Sequence, residues 1–122
     1  MDDRRQFSRI LFLNNAQLQC DDKTWQTTLL DISLNGALLE LPLNFSPSSK
    51  QLLLSFSIAD SDIVVHMETE LVHQKDHLLG LACRHIDVES ISNLRRLIEL
   101  NLGDADILDR ELALFIDMHN HE

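Results

Sequence analysis

Three arginines near the amino terminus are the side chains best suited to ligand chemistry. Arg4, Arg5 and Arg9 supply three of the ten Lys and Arg residues of the chain, all within its first nine positions. A guanidinium group is planar and can donate two hydrogen bonds to phosphate oxygens or to O6 and N7 of guanine, and it can stack on a base. Arg5 and Arg9 are four positions apart and can contact opposite sides of a compact ligand. Taken alone, such an arginine-rich segment is more often a solvated tail, although a small phosphate-containing ligand could use the cluster.

A second group of suitable side chains lies in Asp31-x-Ser33-x-x-Gly36, which the sequence pattern places as a short link between two strands. A carboxylate can accept hydrogen bonds from N1–H and N2–H of guanine, a pair of donors that adenine does not offer. The Ser33 hydroxyl can bond a phosphate or the edge of a base. Gly36 lacks a Cβ, so its backbone can approach a ligand or take a positive φ angle. Taken alone, such a hexapeptide describes many turns.

Together, Arg5-x-x-x-Arg9 and Asp31-x-Ser33-x-x-Gly36 resemble the paired signature of the PilZ family, bacterial receptor domains for cyclic di-GMP. The resemblance runs along the whole chain and is closest to the small stand-alone members. It implies that these five residues contact the ligand.

Two further positions take their roles from this resemblance. In the family, a basic residue directly before the arginine motif, here Arg4, goes with binding of two mutually intercalated ligand molecules, so a dimeric ligand is implied. Small members can also carry an aromatic ring late in the fifth strand that stacks on guanine, and His73 occupies that place here. Imidazole offers less area than indole. Because stacking of a base is worth about 1–3 kcal/mol, an altered affinity or stoichiometry is expected.

Strands must position these residues. Apolar alternation predicts six of them, over residues 10–20, 24–30, 37–41, 52–58, 63–71 and 79–83. Two interleaved apolar sets at the start of the first strand predict that this part is covered on both faces. Because no helix intervenes, the pattern favours a mainly β fold, either an antiparallel barrel or a sandwich, and the resemblance implies a six-stranded antiparallel β-barrel like that of PilZ domains.

The apolar period becomes helical after the last strand. Apolar residues within 91–98 recur at helical spacing on one face. Asp87 or Ser90 is available as the N-cap, and Gly103 as the C-terminal stop. Asp104 can cap a second helix. Both helices have one apolar face, so both are expected to pack against the barrel.

Length and composition set the domain organisation and the partners. The 122 residues are expected to form a single PilZ-like domain with a flexible basic arm (1–9), a barrel (10–86) and a helical tail (87–122). A net charge of -10 argues against DNA or RNA as partners. A local arginine cluster can still attract a small anion, because charges beyond about 8 Å are largely screened at physiological salt. With no long apolar run and no signal peptide, no membrane span is predicted and the cytoplasm is the expected location.

Motifs for enzymatic or metal chemistry are missing from the sequence. It contains no phosphate-binding loop and no nucleophile elbow, and its six histidines do not have the spacing of a zinc site. No enzyme, no metal and no cofactor is therefore predicted. The expected function is a receptor that binds cyclic di-GMP and changes conformation to signal to a downstream effector protein. The alternative is a nucleotide-independent PilZ-type adaptor that acts through protein–protein contact.

Overall fold

A computed structural model describes residues 7–58, 62–103 and 105–120. Six antiparallel strands precede two helices, and the strands close into a barrel in the order β1-β2-β3-β6-β5-β4. The predicted fold class, an antiparallel barrel with C-terminal helices, is confirmed. The elements are β1 (Ile10–Cys20), β2 (Lys23–Ser33), β3 (Gly36–Glu40), β4 (Gln51–Ser57), β5 (Val64–Lys75), β6 (Leu78–Ile86), α1 (Val88–Leu102) and α2 (Ala105–Asn120).

The barrel interior is filled by alternate residues of its strands. Because successive side chains of a strand point to opposite faces, the remaining residues of each strand lie on the outer surface. Six interior side chains, one from each strand, are fully buried: Leu18, Leu29, Leu39, Leu54, Val65 and Leu79.

One end of the barrel is closed by Trp25 of β2. Its side chain is 7% exposed, and its indole N–H donates to the Asn44 carbonyl at 3.0 Å. The indole also meets the Phe45 ring edge-on, with ring centroids 5.0 Å apart. The loop after β3 is thereby packed against the β1–β2 hairpin.

The β5–β6 hairpin turns later than its sequence predicts. The polar residues 74–76 of the sequence predict a turn, but β5 runs to Lys75 and the turn consists of Asp76 and His77, with φ angles of 53° and 69°. Positive φ at both central residues is the geometry of a type I′ turn, which matches the twist of the flanking strands.

The first part of β1 is covered on one face only, so the prediction that both faces are covered is wrong. Leu11 and Leu13 are 87% and 76% exposed, whereas Ile10 is buried. The described ladder between β1 and β4 is short, from Gln17 to Gln19 on β1. Apolar alternation shows which residues share a face but does not show whether a second layer covers that face.

The ends of α1 are capped by side chain and backbone as predicted. Asp87 is the N-cap, and its carboxylate accepts a hydrogen bond from the Ser90 N–H at 2.9 Å. Ser90 is buried instead in the first turn, where its hydroxyl accepts from the His66 N–H at 3.0 Å. Gly103 ends the helix with a φ angle of 75°. Asp104, the predicted cap of the second helix, lies outside the described residues.

The two helices pack differently. Leu94 and Ile98 of α1 are fully buried beside the barrel. In α2, Leu108 is fully buried and Phe115 is 4% exposed. The Phe115 ring meets the ring of Phe7, which precedes β1, edge-on with centroids 6.3 Å apart. The second helix is therefore held in part by the segment that leads into the barrel.

Candidate functional site

The Asp31–Gly36 hexapeptide is mostly strand, not a link between strands as its polar composition suggests. Asp31 and Ser33 are the last residues of β2, and only Leu34 and Asn35 form the turn. Ile32 is fully buried three positions after the buried Leu29, because the register shift between Leu29 and Asp31 interrupts the alternation and returns Ile32 to the barrel interior. Asp31 and Ser33 consequently belong to the outer face of the barrel, on a rigid element.

Ser33 is held by the turn that it starts. Its side chain is 7% exposed, its hydroxyl oxygen accepts from the Asn35 N–H at 3.3 Å, and the hydroxyl donates to the Gly36 carbonyl at 3.4 Å. The Asn35 carbonyl in turn accepts from the Cys83 N–H at 2.8 Å. These bonds fix the tip of the β2–β3 hairpin against β6.

Gly36 is needed because two strands approach each other closely. A Cβ atom at this position would overlap the backbone oxygen of Leu81 on β6 and lie 3.4 Å from Cα of Ala82. Among the described glycines, positive φ occurs at Gly103, so of the two alternatives predicted for Gly36, positive φ is excluded and close approach of its backbone stays. The missing Cβ at Gly36 allows β3 and β6 to lie in close contact.

Arg9 and Asp31 are brought together at the edge of β2. Arg9 precedes β1, whose first residue, Ile10, is the register partner of Ile32. The Arg9 Nη1 atom lies 3.7 Å from Oδ2 of Asp31, and the side chains are 38% and 13% exposed. This distance is that of an ion pair and exceeds the length of a hydrogen bond. Arg4 and Arg5, the other predicted arginines, lie outside the described residues.

Asp31 and His73 lie in one row across the barrel surface. Asp31 is the register partner of Leu38, Leu38 of Gly80, and Gly80 of His73. The β5–β6 register shifts directly before His73, whose side chain is exposed. Three strand spacings of about 4.8 Å separate the two ends of this row by about 14 Å.

A second row runs beside the first. Ser33 is the register partner of Gly36, Gly36 of Ala82, and Ala82 of Glu70. Three of the four residues between the ends of these rows are glycine or alanine, so few side-chain atoms project from the barrel surface between β2 and β5. We call this surface the barrel floor, formed by Gly36, Leu38, Gly80 and Ala82.

Gly80 brings the floor close to His73. A Cβ atom at Gly80 would lie only 3.0 Å from Cβ of His73, which is tighter than normal packing allows. The sequence motifs do not include Gly80 or Leu38, because only the strand register shows that they share a face with Asp31. Gly80 and Leu38 could have been identified only by predicting that they pair across β3 and β6.

A separate cavity lies away from this surface. It has a volume of about 320 Å³ and sits where β4, β5 and β6 meet the start of α1. Two carboxylates in its lining oppose an anionic ligand. The lining residues are Leu53, His66, Glu68, His85, Ile86 and Asp87.

Metal sites and membrane-spanning helices are both missing from the described residues. No three or more His, Cys, Asp or Glu side chains in these ranges are grouped so that they could hold a metal ion. None of the helices described combines the length and the apolar character that crossing a membrane requires.

Comparison with known proteins identifies related folds. The model of the family described as PilZ domain matches residues 3–100. The Bacillus subtilis inhibitor of motility MotI/DgrA is similar in structure with a TM-score of 0.67 and 19% identity, over 84% of this chain and 54% of that one. The PilZ domain of CeSA from a cellulose-synthesizing bacterium has a TM-score of 0.59 and 10% identity, over 79% and 96%. An uncharacterized Legionella protein has a TM-score of 0.50 and 15% identity, over 75% and 90%. The chain thus spans about half the length of MotI/DgrA.

Proposed function

Because the chain belongs to the PilZ domain family, we propose that it is a receptor that binds cyclic di-GMP on the barrel floor and signals to a downstream effector protein. The observation that carries this proposal is the ion pair of Arg9 and Asp31 at the edge of the floor. The receptor needs no catalytic step and no cofactor, since binding alone changes its surface. Its location in the cytoplasm and the absence of nucleic acid partners belong to the same proposal.

Asp31 and Arg9 divide the recognition of the ligand between them. The Asp31 carboxylate accepts hydrogen bonds from N1–H and N2–H of one guanine, and the Arg9 guanidinium donates to a phosphate or stacks on the base. Their ion pair is partly exposed, and such pairs contribute at most about 1 kcal/mol. Charge-assisted hydrogen bonds to the ligand can therefore replace it.

Ser33 and Gly36 support this contact from the hairpin tip. The hydrogen bond from the Ser33 hydroxyl to the Gly36 carbonyl is long, at 3.4 Å, so the hydroxyl can turn to a ligand oxygen at little cost. Gly36 keeps β3 against β6 and leaves the floor without a side chain at this point.

Arg4, Arg5 and His73 complete the proposed site. Arg5 donates to the phosphates with Arg9, and Arg4 faces the additional phosphates of a second, intercalated ligand molecule. His73 stacks on a guanine at the far side of the floor. The separation of about 14 Å between its strand and that of Asp31 leaves room for a ligand wider than a single base.

Signalling follows from the contacts of the segment between the two arginines. The Ser8 N–H and hydroxyl donate to the two carboxylate oxygens of Glu111 on α2 at 2.8 and 2.6 Å, and Phe7 packs on Phe115. A ligand that binds both Arg5 and Arg9 shifts the segment between them and so weakens the contacts of Phe7 and Ser8 with α2. The altered helix surface is what the effector protein reads.

Calorimetric titration with cyclic di-GMP tests the site. Arg9→Ala and Asp31→Ala should each weaken binding by about 10- to 100-fold, because hydrogen bonds to charged groups contribute about 1.5–3 kcal/mol. Arg110→Ala, which removes an exposed guanidinium from α2, is the matched control and should bind like the wild type.

Two results of this titration and one of chromatography are decisive. Equal affinity in the wild type, Arg9→Ala and Asp31→Ala would reject the assigned site. A folded wild type that does not bind would favour the adaptor that works through protein contact alone. Chromatography of the ligand after incubation should return it unchanged, and a hydrolysed product would show an enzyme instead.

A further inference from the structure

A second ion pair borders the barrel floor on the side opposite Arg9. The Arg84 Nε donates to Oε1 of Glu70 at 2.9 Å, and the two side chains are 45% and 40% exposed. Their neighbours Cys83 and Thr69 are 1% and 2% exposed and point into the barrel. Because side chains alternate along a strand, Arg84 and Glu70 both lie on its outer face.

The strand register locates this pair relative to the floor. Glu70 is the register partner of Ala82, which is a floor residue and the partner of Gly36. Arg84 follows Ala82 by two positions and therefore shares its face. Arg84 is also the one arginine of the sequence between residues 10 and 86. The outer faces of β5 and β6 beside the floor thus carry a guanidinium and a carboxylate, and so does the edge of the floor at Arg9 and Asp31.

We propose that Arg84 is a further ligand-binding residue, held by Glu70 in the free protein and transferred to the ligand on binding. The inference rests on the proposed function. Cyclic di-GMP consists of two identical guanosine phosphate halves, so the half that lies away from Arg9 needs its own cationic partner. Arg84 supplies it by donating to a phosphate or to O6 and N7 of a guanine.

Glu70 has two effects in this exchange. It orients the guanidinium beside the floor before the ligand arrives, and it competes with the ligand for the same N–H donors. Its charge also repels the phosphates once Arg84 has left. Because the pair is exposed, it contributes little to stability, and the new charge-assisted bonds to the ligand exceed that contribution.

Titration of matched variants with cyclic di-GMP tests the exchange. Arg84→Ala should weaken binding about tenfold, and Arg84→Lys should recover part of the loss because it keeps the charge without the planar fork. Glu70→Gln should strengthen binding several-fold, since it removes a competitor and a repulsive charge. Arg96→Ala, on α1, serves as the control for a loss of positive charge elsewhere. In the wild type, the Arg84 Nε–H signal in NMR spectra should shift when the ligand is added.

The outcomes separate this inference from the proposed function. If Arg9→Ala weakens binding while Arg84→Ala does not, the inference is overturned and the receptor function stands. If Glu70→Gln binds as weakly as Arg84→Ala, the pair acts by holding β5 to β6 and the inference is also overturned. If the folded wild type does not bind the ligand at all, the proposed function itself fails.

Discussion

Gly36 belongs to a binding motif, but its direct structural effect is to let two strands of the sheet pack closely. Its position is fixed by the Leu81 carbonyl, which occupies the space that a Cβ atom would need. A larger residue here must push β3 away from β6, and both strands contribute to the barrel floor. The glycine of the motif is thus a condition for the shape of the surface on which the ligand is proposed to lie.

A Gly36→Ala variant should therefore lose stability. We expect the free energy of unfolding to fall by about 1–3 kcal/mol, because overpacking against backbone cannot be relieved by a rotamer change. Chemical denaturation of the variant and the wild type measures the difference. Gly80→Ala is the comparison variant and should lose less stability, since its new methyl group would lie 3.0 Å from Cβ of the exposed His73, whereas the methyl group at Gly36 would overlap a backbone oxygen. A Gly36→Ala variant as stable as the wild type would contradict the close-approach account.

Single residues were predictable from the sequence where a motif marks them. The two motifs mark Arg9 and Asp31, whose Nη1 and Oδ2 atoms lie 3.7 Å apart, while their ligand contacts stay a prediction. The Arg84–Glu70 pair had no such mark, because a lone arginine in a strand has no spacing to interpret. The burial of Ser33 was equally invisible, since it depends on hydrogen bonds within the turn.

The start of α1 is the element whose stability depends most clearly on protonation. Hydrogen bonds from the Ser90 side chain and backbone N–H lower the pKa of the Asp87 carboxyl below its usual value. The ionised carboxylate is therefore favoured in the folded state. Its contribution to stability is complete above the unfolded pKa of about 3.9 and is lost as the pH falls through the lower folded pKa.

Asp87→Ala should lower the free energy of unfolding by about 1 kcal/mol at neutral pH, the usual cost of losing an N-cap. The difference from the wild type should shrink as the pH falls below about 4, where the Asp87 carboxyl of the unfolded chain becomes protonated, and should vanish below the lower pKa of the folded state. Urea denaturation over a series of pH values measures both effects. Asp87→Ser keeps a capping oxygen without titrating, so it should retain most of the stability. A pH-independent deficit in Asp87→Ala would contradict the assigned role.

Elements were predicted well in their interiors and poorly at their ends. Alternation found all six strands because one face of each is buried. It ended β2 at residue 30 because the polar residues that follow read as a turn, although Ile32 continues the buried face. It ended β5 at residue 71, because the register shift that follows breaks the period of two.

At the scale of the whole molecule, the segment before β1 and the second helix are joined. Phe7 is 2% exposed, and Ser8 makes two hydrogen bonds to the Glu111 carboxylate. These residues lie between the two arginines of the first motif. The proposed ligand contact and the position of α2 are therefore connected through a few atoms of the same segment.

Glu111→Ala should tighten ligand binding by up to about tenfold, because the ligand then no longer has to break these hydrogen bonds. In the wild type, hydrogen exchange in α2 should become faster when ligand is added, and in Glu111→Ala it should already be fast. Asp106→Ala removes a carboxylate from the first turn of the same helix and is the control. Unchanged exchange in α2 at saturating ligand would show that the helix does not respond.

Long-range pairings were the part of the molecule that the sequence did not predict. The order of elements, strands first and helices last, predicted an antiparallel barrel or sandwich with a helical tail, and the family resemblance chose the barrel. The contacts of β1 with β4 and of β3 with β6 join distant segments, and the second of these pairings creates the floor between Asp31 and His73. The contact of Phe7 with Phe115 joins the two ends of the described chain and has no local signature either.

Trp25, at the closed end of the barrel, has a practical consequence. It is the single tryptophan of a chain without tyrosine, so it dominates the intrinsic fluorescence. Six residues of extended strand separate it from Asp31, a distance of about 20 Å. Its emission will consequently change when the barrel opens and the indole meets water, yet remain constant while nucleotide is added. The Trp25 emission of each variant thus distinguishes a protein that has unfolded from a folded protein that has bound no nucleotide.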